Sequence, residues 1–150
     1  MQEQFDLNKV KVHRTLEGSI FEITTLVILQ VVYAIAIATK FFDLSNMMGK
    51  HVGIIIISIV SVMLLFTAYS PKHINLVGKE LHNIRQVEIA IRTVRIMAVE
   101  LALFCLLMVA VSPDNPILHT AMCVTVVATT LISSILIYKA KLHSGNFLLI

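Results

Sequence analysis

This chain of 150 residues is predicted to be an all-α membrane protein: a four-transmembrane-helix antiparallel bundle with a cytoplasmic helical extension before the third span. Three observations predict it. Hydrophobic residues make up 57% and charged residues 14%, where soluble domains hold roughly 45–50% and a quarter. The mean hydropathy of +0.88 expresses the same composition. Four apolar stretches each approach the roughly 20 helical residues that cross a hydrocarbon core about 30 Å thick. Lys and Arg, finally, gather on one side of those stretches.

The first span runs over about 20–39. A basic segment precedes it, and Ala34, Ala36 and Ala38 form an A-x-A pattern near its end, as in a secretory leader. It is read here as a true span. The second, about 52–69, holds the run Gly53-Ile54-Ile55-Ile56-Ile57. In water such β-branched residues favour a strand, but a lone strand in lipid leaves its backbone groups unsatisfied, so a helix is expected. The third, about 96–111, is short, and its helix is expected to start well upstream. The fourth covers about 117–138. The whole chain is one membrane domain with a cytoplasmic linker over 70–95.

Orientation follows from the flanking cations. Lys9, Lys11 and Arg14 precede the first span. Lys72, Lys79, Arg85, Arg92 and Arg95 lie between the second and third, and Lys139 and Lys141 follow the fourth. The opposite side holds only Lys40 and Lys50. Both termini and the linker are therefore expected in the cytoplasm. Tyr69 and Tyr138 would mark the inner interface, Phe41 and Phe42 the outer one.

In the linker, Pro71 is expected to end the second span and Gly78 to break the chain before a new helix begins near Glu80. Ile84, Val87, Ile91 and Val94 fall on one helical stripe. Arg85, Glu88, Arg92 and Arg95 form a neighbouring charged stripe, which suits an anionic lipid surface or a partner, with Lys72 and Lys79 adding to it. The stretch Gln2 to Glu17 reads as a short interfacial helix, and the apolar tail Asn146–Ile150 as a segment that folds back on the membrane. The loop Ser112–Pro116, with two prolines, makes the last two spans a tight hairpin.

Ionisable groups inside lipid are costly and mark candidate sites. Glu100 lies within the third span and Glu22 at the inner end of the first; both lie toward the cytoplasm. They could line a shared cleft, bind a cation or substrate, or pair with Arg92 or Arg95. Gln30, midway along the first span, is expected to hydrogen-bond between helices. Thr120, Thr125, Thr129, Thr130, Ser133 and Ser134 give the fourth span small hydroxyl residues suited to close packing.

Other chemistries find little support. Cys105 and Cys123 sit singly in apolar runs, without a CxxC pair, and read as small apolar residues. His51 and His119 lie at the outer ends of the second and fourth spans, His119 four residues before Cys123. A metal centre needs three or four ligands, so neither a metal nor another cofactor is expected. No phosphate loop, nucleophile–base order or paired-carboxylate motif occurs, so an enzyme is not expected. The net charge of +3 is explained by membrane orientation rather than by nucleic acid.

The stretch Ser70-Pro71-Lys72-His73-Ile74-Asn75-Leu76, followed by the Asn83-, Arg85-, Arg92- and Arg95-bearing helix, resembles the DUF1648-type family of small bacterial membrane proteins. That domain also forms the first part of SdpI-type immunity proteins. Gly49-Lys50 is similar to the family's Gly-x-Lys region before the second span, and the likeness covers about 49–104. The family's first-loop Ile-Pro-x-His element is missing between Lys40 and His51. The resemblance implies the topology and an immunity or sensing role.

The expected function is a non-enzymatic interaction, immunity or accessory subunit of a bacterial inner membrane. Its partners would be the lipid bilayer, another membrane protein or a second copy, and anionic lipid. The alternative is a small oligomeric transporter or channel that uses Glu100 and Glu22. A third reading is a haem- or quinone-linked redox subunit.

Overall fold

A computed structural model describes residues 12–13, 15–39, 48–74, 81–111 and 115–145, the side chains of 48–51 and 141–145 excepted. The elements are α1 (Leu16–Ala38), α2 (Met48–Thr67), a single 3-10 turn (Pro71–His73), α3 (Ile84–Ala110) and α4 (Pro116–Gly145). The described residues contain no strand. Three helices, α1, α3 and α4, are long and apolar enough to cross a membrane. Large apolar side chains such as Ile23, Ile37, Ile56, Met63, Phe66, Leu103, Val124 and Leu131 point outward from all four helices. Water would tolerate such a surface poorly, whereas lipid solvates it.

Each helix starts where local chemistry lets it. Thr15 caps α1, its Oγ1 accepting the Gly18 N–H at 3.1 Å, and Glu17 in the first turn suits the positive end of the helix dipole. The isoleucine run is helical in α2, as expected. That helix stops at Thr67, and Pro71 then opens the 3-10 turn. Asn83 caps α3, its Oδ1 accepting the Gln86 N–H at 2.8 Å. Asn115 accepts the Ile117 N–H at 3.0 Å, and Pro116 fills the first helical position of α4, where no N–H is needed.

The third span is indeed the second part of a longer helix, which runs unbroken from Ile84 to Ala110. It begins a turn later than the predicted start near Glu80. Gly78, Lys79, the N-terminal stretch through Lys11, the tail Asn146–Ile150 and most of the Ser112–Pro116 loop lie outside the described residues.

α3 is the hub. It packs along α1, α2 and α4, whereas α1 and α2 touch little and α4 rests essentially on α3. Small residues make this close approach work. Ala90, Ala98 and Ala102 are wholly buried along one side of α3. The buried Ser61 hydroxyl of α2 donates across to the Ala98 carbonyl at 2.7 Å. Cys105 packs against α2, with its Sγ 3.8 Å from Ser58 Oγ; both cysteines are free thiols.

Two apolar clusters flank this crossing. One joins Val32, Ile54, Phe104, Cys105 and Met108. The other gathers Ala68, Ile74, Leu81, Val87, Ile91, Val94 and Ile137 where the linker meets the helix ends. Ile54 is fully buried in the first. Between lipid and a helix interface the transfer term nearly cancels, because lipid tails are as apolar as Ile. What remains is the cavity term. Ile54→Ala should therefore cost about 2 kcal/mol, at the low end of the range for such truncations, read as a lower unfolding midpoint in detergent.

Two positions on the predicted stripes are corrected. Ile84 was expected on the apolar stripe but is 62% exposed, because it opens the helix beyond the last layer of packing. Arg95 was expected on the outward charged stripe but is 4% exposed. It lies four residues after Ile91 and eight after Val87, which returns it to the buried side of a 3.6-residue helix.

Candidate functional site

Among the described residues, two charged side chains have buried atoms without hydrogen-bond partners, and α3 carries both. The first is Glu100. It lies half-buried between α3 and α4, where its Oε1 accepts the Thr129 hydroxyl at 2.5 Å. Its Oε2 is buried and has no hydrogen-bond partner. A cavity of about 210 Å³ opens beside it, lined by Leu103, Phe104, Leu107, Leu118, Ala121, Met122, Thr125 and Val126. Apart from Glu100, Thr125 is the one polar side chain in that wall. An orphaned carboxylate oxygen in such surroundings carries a desolvation cost until a donor meets it.

The second is Arg95. Its guanidinium lies over the Tyr69 ring, 5.6 Å from the centroid, and the Tyr69 hydroxyl donates to the Glu22 carboxylate. The guanidinium also presses on the first turn of α1. A Cβ placed on Gly18 would stand 2.5 Å from Nη2 and 2.7 Å from Cζ, so glycine is what lets α1 pass. Neither Nε nor Nη2 has a hydrogen-bond partner. Nearby, Arg92 of α3 grips Glu17 of α1 through both carboxylate oxygens, Nε to Oε1 at 3.0 Å and Nη2 to Oε2 at 3.1 Å. That pair is about half exposed and so contributes at most about 1 kcal/mol.

Glu22 and Glu100 do not share a cleft: the first faces Tyr69 at the end of α2, the second Thr129 of α4. Gln30 stands on the exposed face of α1. Arg92 is paired, but with Glu17 rather than with an intramembrane acid. Arg85 and Lys72 are exposed, while Lys79 lies outside the described residues.

His119 sets its ring edge-on to Phe104, with centroids 5.6 Å apart, and Cys123 is exposed. The His51 side chain lies outside the described residues. Among the described residues no three of His, Cys, Asp and Glu converge on a metal position.

Four contributors were not singled out from the sequence as site residues: Glu17, Gly18, Tyr69 and Thr129. Glu17 escaped because it precedes the apolar run, where an acid is unremarkable. Gly18 had a visible signal, a glycine just inside a helix start, where its propensity is poor. Tyr69 was read as an interface marker and Thr129 as a packing residue; their pairing with acids is a tertiary fact. No protein-family model, curated protein or solved structure matches this chain, and its own geometry carries the functional reading.

Proposed function

We propose that the chain is a non-enzymatic interaction or accessory subunit of a membrane assembly, and that the groove between α3 and α4 is its docking face. The observation that carries this is the buried, unpartnered Oε2 of Glu100 in an otherwise apolar cavity open to the side of the helices. A neighbouring membrane helix that brings a Ser, Thr, Asn or Lys donor satisfies that oxygen while filling the apolar wall. Such polar contacts hold helices together where lipid removes the hydrophobic drive. The exposure of α4 is consistent with this: only 11% of its apolar window is buried, against 44% for α3.

The proposed topology has four spans, since the 20 residues of α2 extend about 30 Å at 1.5 Å per residue. The ten-to-two distribution of Lys and Arg supports cytoplasmic termini and linker, in a bacterial inner membrane. An immunity or sensing role, implied by the likeness of about 49–104 to the DUF1648-type family, is a narrower form of the same reading. A small transporter or channel would use the same carboxylate. The apolar lining favours a helix over a hydrated ion.

The experiment places a photo-reactive amino acid at Leu107 or Ala121 in the groove, and at Val27 on the outer face of α1 as control. Protein in native membranes is irradiated, then purified in mild detergent and weighed. A protein adduct of fixed mass from the groove positions, absent at Val27 and reduced at least fivefold in Glu100→Leu, is the expected result. The adduct mass tells a second copy from a different partner. Lipid adducts alone at every position, or adducts indifferent to Glu100, would overturn the reading.

A further inference from the structure

We infer that the cleft between the first turn of α1 and the middle of α3 is a binding site for a phosphate group, with Arg95 as its principal ligand. It is distinct from the Glu100 groove and does not depend on it.

The chemistry starts from an imbalance. Arg95 is almost wholly buried, yet Nε and Nη2 bond to nothing. Burying a guanidinium without hydrogen bonds is strongly unfavourable, and the Tyr69 ring face offsets only part of that. The unused donors, Nε and Nη2, form one edge of a planar fork that is enclosed against Gly18; turned into the adjoining cavity, that edge takes two oxygens of a phosphate at once.

The surroundings fit the same ligand. The guanidinium touches the first turn of α1 at Gly18, and a helix start offers N–H groups ahead of its hydrogen-bond ladder together with the positive end of the dipole. The Gly18 N–H is already held by Thr15, so what α1 offers at this end is the positive end of its dipole. A cavity of about 270 Å³ opens there, with His13, Thr15, Arg92 and Arg95 in its wall. Two acids also line it, Glu17 and Glu88. The charge of Glu17 is matched by Arg92, and Glu88 is exposed to solvent, so the buried charge left unmatched by a hydrogen bond is that of Arg95.

Depth suggests the source. The apolar run of α1 starts at about Ile20, so its first turn lies at the level where lipid phosphates sit. Free phosphate carries the same recognition chemistry, and the test separates the two.

The protein is purified in a neutral detergent and offered phosphatidylglycerol and phosphatidylcholine at equal mole fraction, and separately inorganic phosphate. Native mass spectrometry counts bound lipid, and a thermal melt reads the phosphate effect. The expected result is a preference for phosphatidylglycerol that falls at least tenfold in Arg95→Met and in Arg95→Lys, which keeps the charge but lacks the fork. Arg85→Gln, an exposed cation on the same helix, should keep the preference.

A melt raised by inorganic phosphate in wild type but not in Arg95→Lys, without a lipid preference, supports the site with free phosphate as its occupant. The inference is overturned if wild type shows neither effect. It is equally overturned if Arg85→Gln loses as much as the Arg95 variants, since binding is then surface electrostatics alone.

Discussion

Gly18→Leu should lower the stability of the purified protein by about 1–2 kcal/mol, the lower part of the range for overpacking, because the atoms a side chain would meet there are the flexible end of Arg95. Gly18 is buried, and its missing side chain is occupied by the Arg95 guanidinium, with Nη1, Nη2 and Cζ all within 3 Å of where a Cβ would stand. A leucine there leaves two ways out. Either α1 tilts away from α3, or the guanidinium leaves its seat over Tyr69. Both loosen the junction where α1, α2 and α3 meet. The measurement is thermal unfolding followed with a thiol-reactive dye in a Cys123→Ser background, so that the buried Cys105 alone reports opening. Gly18→Ala should show the same effect at reduced size, because one methyl asks the flexible end of Arg95 to shift rather than to leave. Equal stability of Gly18→Leu and wild type would mean that α1 does not lie against Arg95.

Gln86→Leu is the second effect expected, about 1–2 kcal/mol. Gln86 is 2% exposed and uses both ends of its amide. Its Nε2 donates to the Ile137 carbonyl of α4 at 3.0 Å, and its Oε1 accepts the His82 backbone N–H at 2.7 Å. Leucine has nearly the same volume, so the core stays filled while both partners lose their bond. Orphaned polar groups cost about 1–3 kcal/mol each. The His82 amide is the more serious loss, since the Ile137 carbonyl lies within a helix and keeps a backbone partner there. Hydrogen exchange should show faster opening in two places: the chain entering α3, and the half of α4 around Ile137. A stability change below about 0.5 kcal/mol, the usual size for surface substitutions, would show that the amide is not part of the fold's framework.

The helices were largely legible from sequence because lipid allows few alternatives. A backbone that cannot bond to water must bond to itself, so an apolar run of sufficient length is a helix even when, as at Ile54–Ile57, its residues prefer strands. The caps at Thr15, Asn83 and Asn115 belong to the same local chemistry.

What was not legible is which helix packs against which. The apolar 18-residue stretches of α1, α3 and α4 have nearly the same mean hydropathy, 2.2, 2.1 and 2.1, because facing lipid and facing another helix ask for the same apolar side chains. The informative signal is volume. Ala90, Val94, Ala98 and Ala102 recur every four residues in α3, and that column of small side chains is where its neighbours come closest. The same periodicity corrects Arg95, whose spacing from Val87 and Ile91 outweighs the charge it shares with Arg85 and Arg92.

The sites were half legible. An acid inside an apolar span is visible in any sequence, and Glu100 is half-buried with its Oε2 lacking a partner. Glu22, chosen on the same ground, has Tyr69 as donor, and Gln30 faces outward. Intramembrane polarity therefore shows where a cost exists, while only the tertiary arrangement shows which residue has had that cost removed.

The central place of α3 has a consequence for biogenesis. In the proposed four-span topology the first two helices touch little, so after they enter the membrane they have no stable partner. Both must wait for the third to be synthesised, and the protein acquires its interior in one step when α3 arrives between them. The fourth helix then settles against a completed trio, fastened by hydrogen bonds from Asn83 to the Ala140 carbonyl, Gln86 to the Ile137 carbonyl, Thr93 to Ser133, and Thr129 to Glu100. Chains halted before α3 should thus resemble two independent lipid-soluble helices, open to quality-control proteases, whereas chains halted after it already hold most of the native packing.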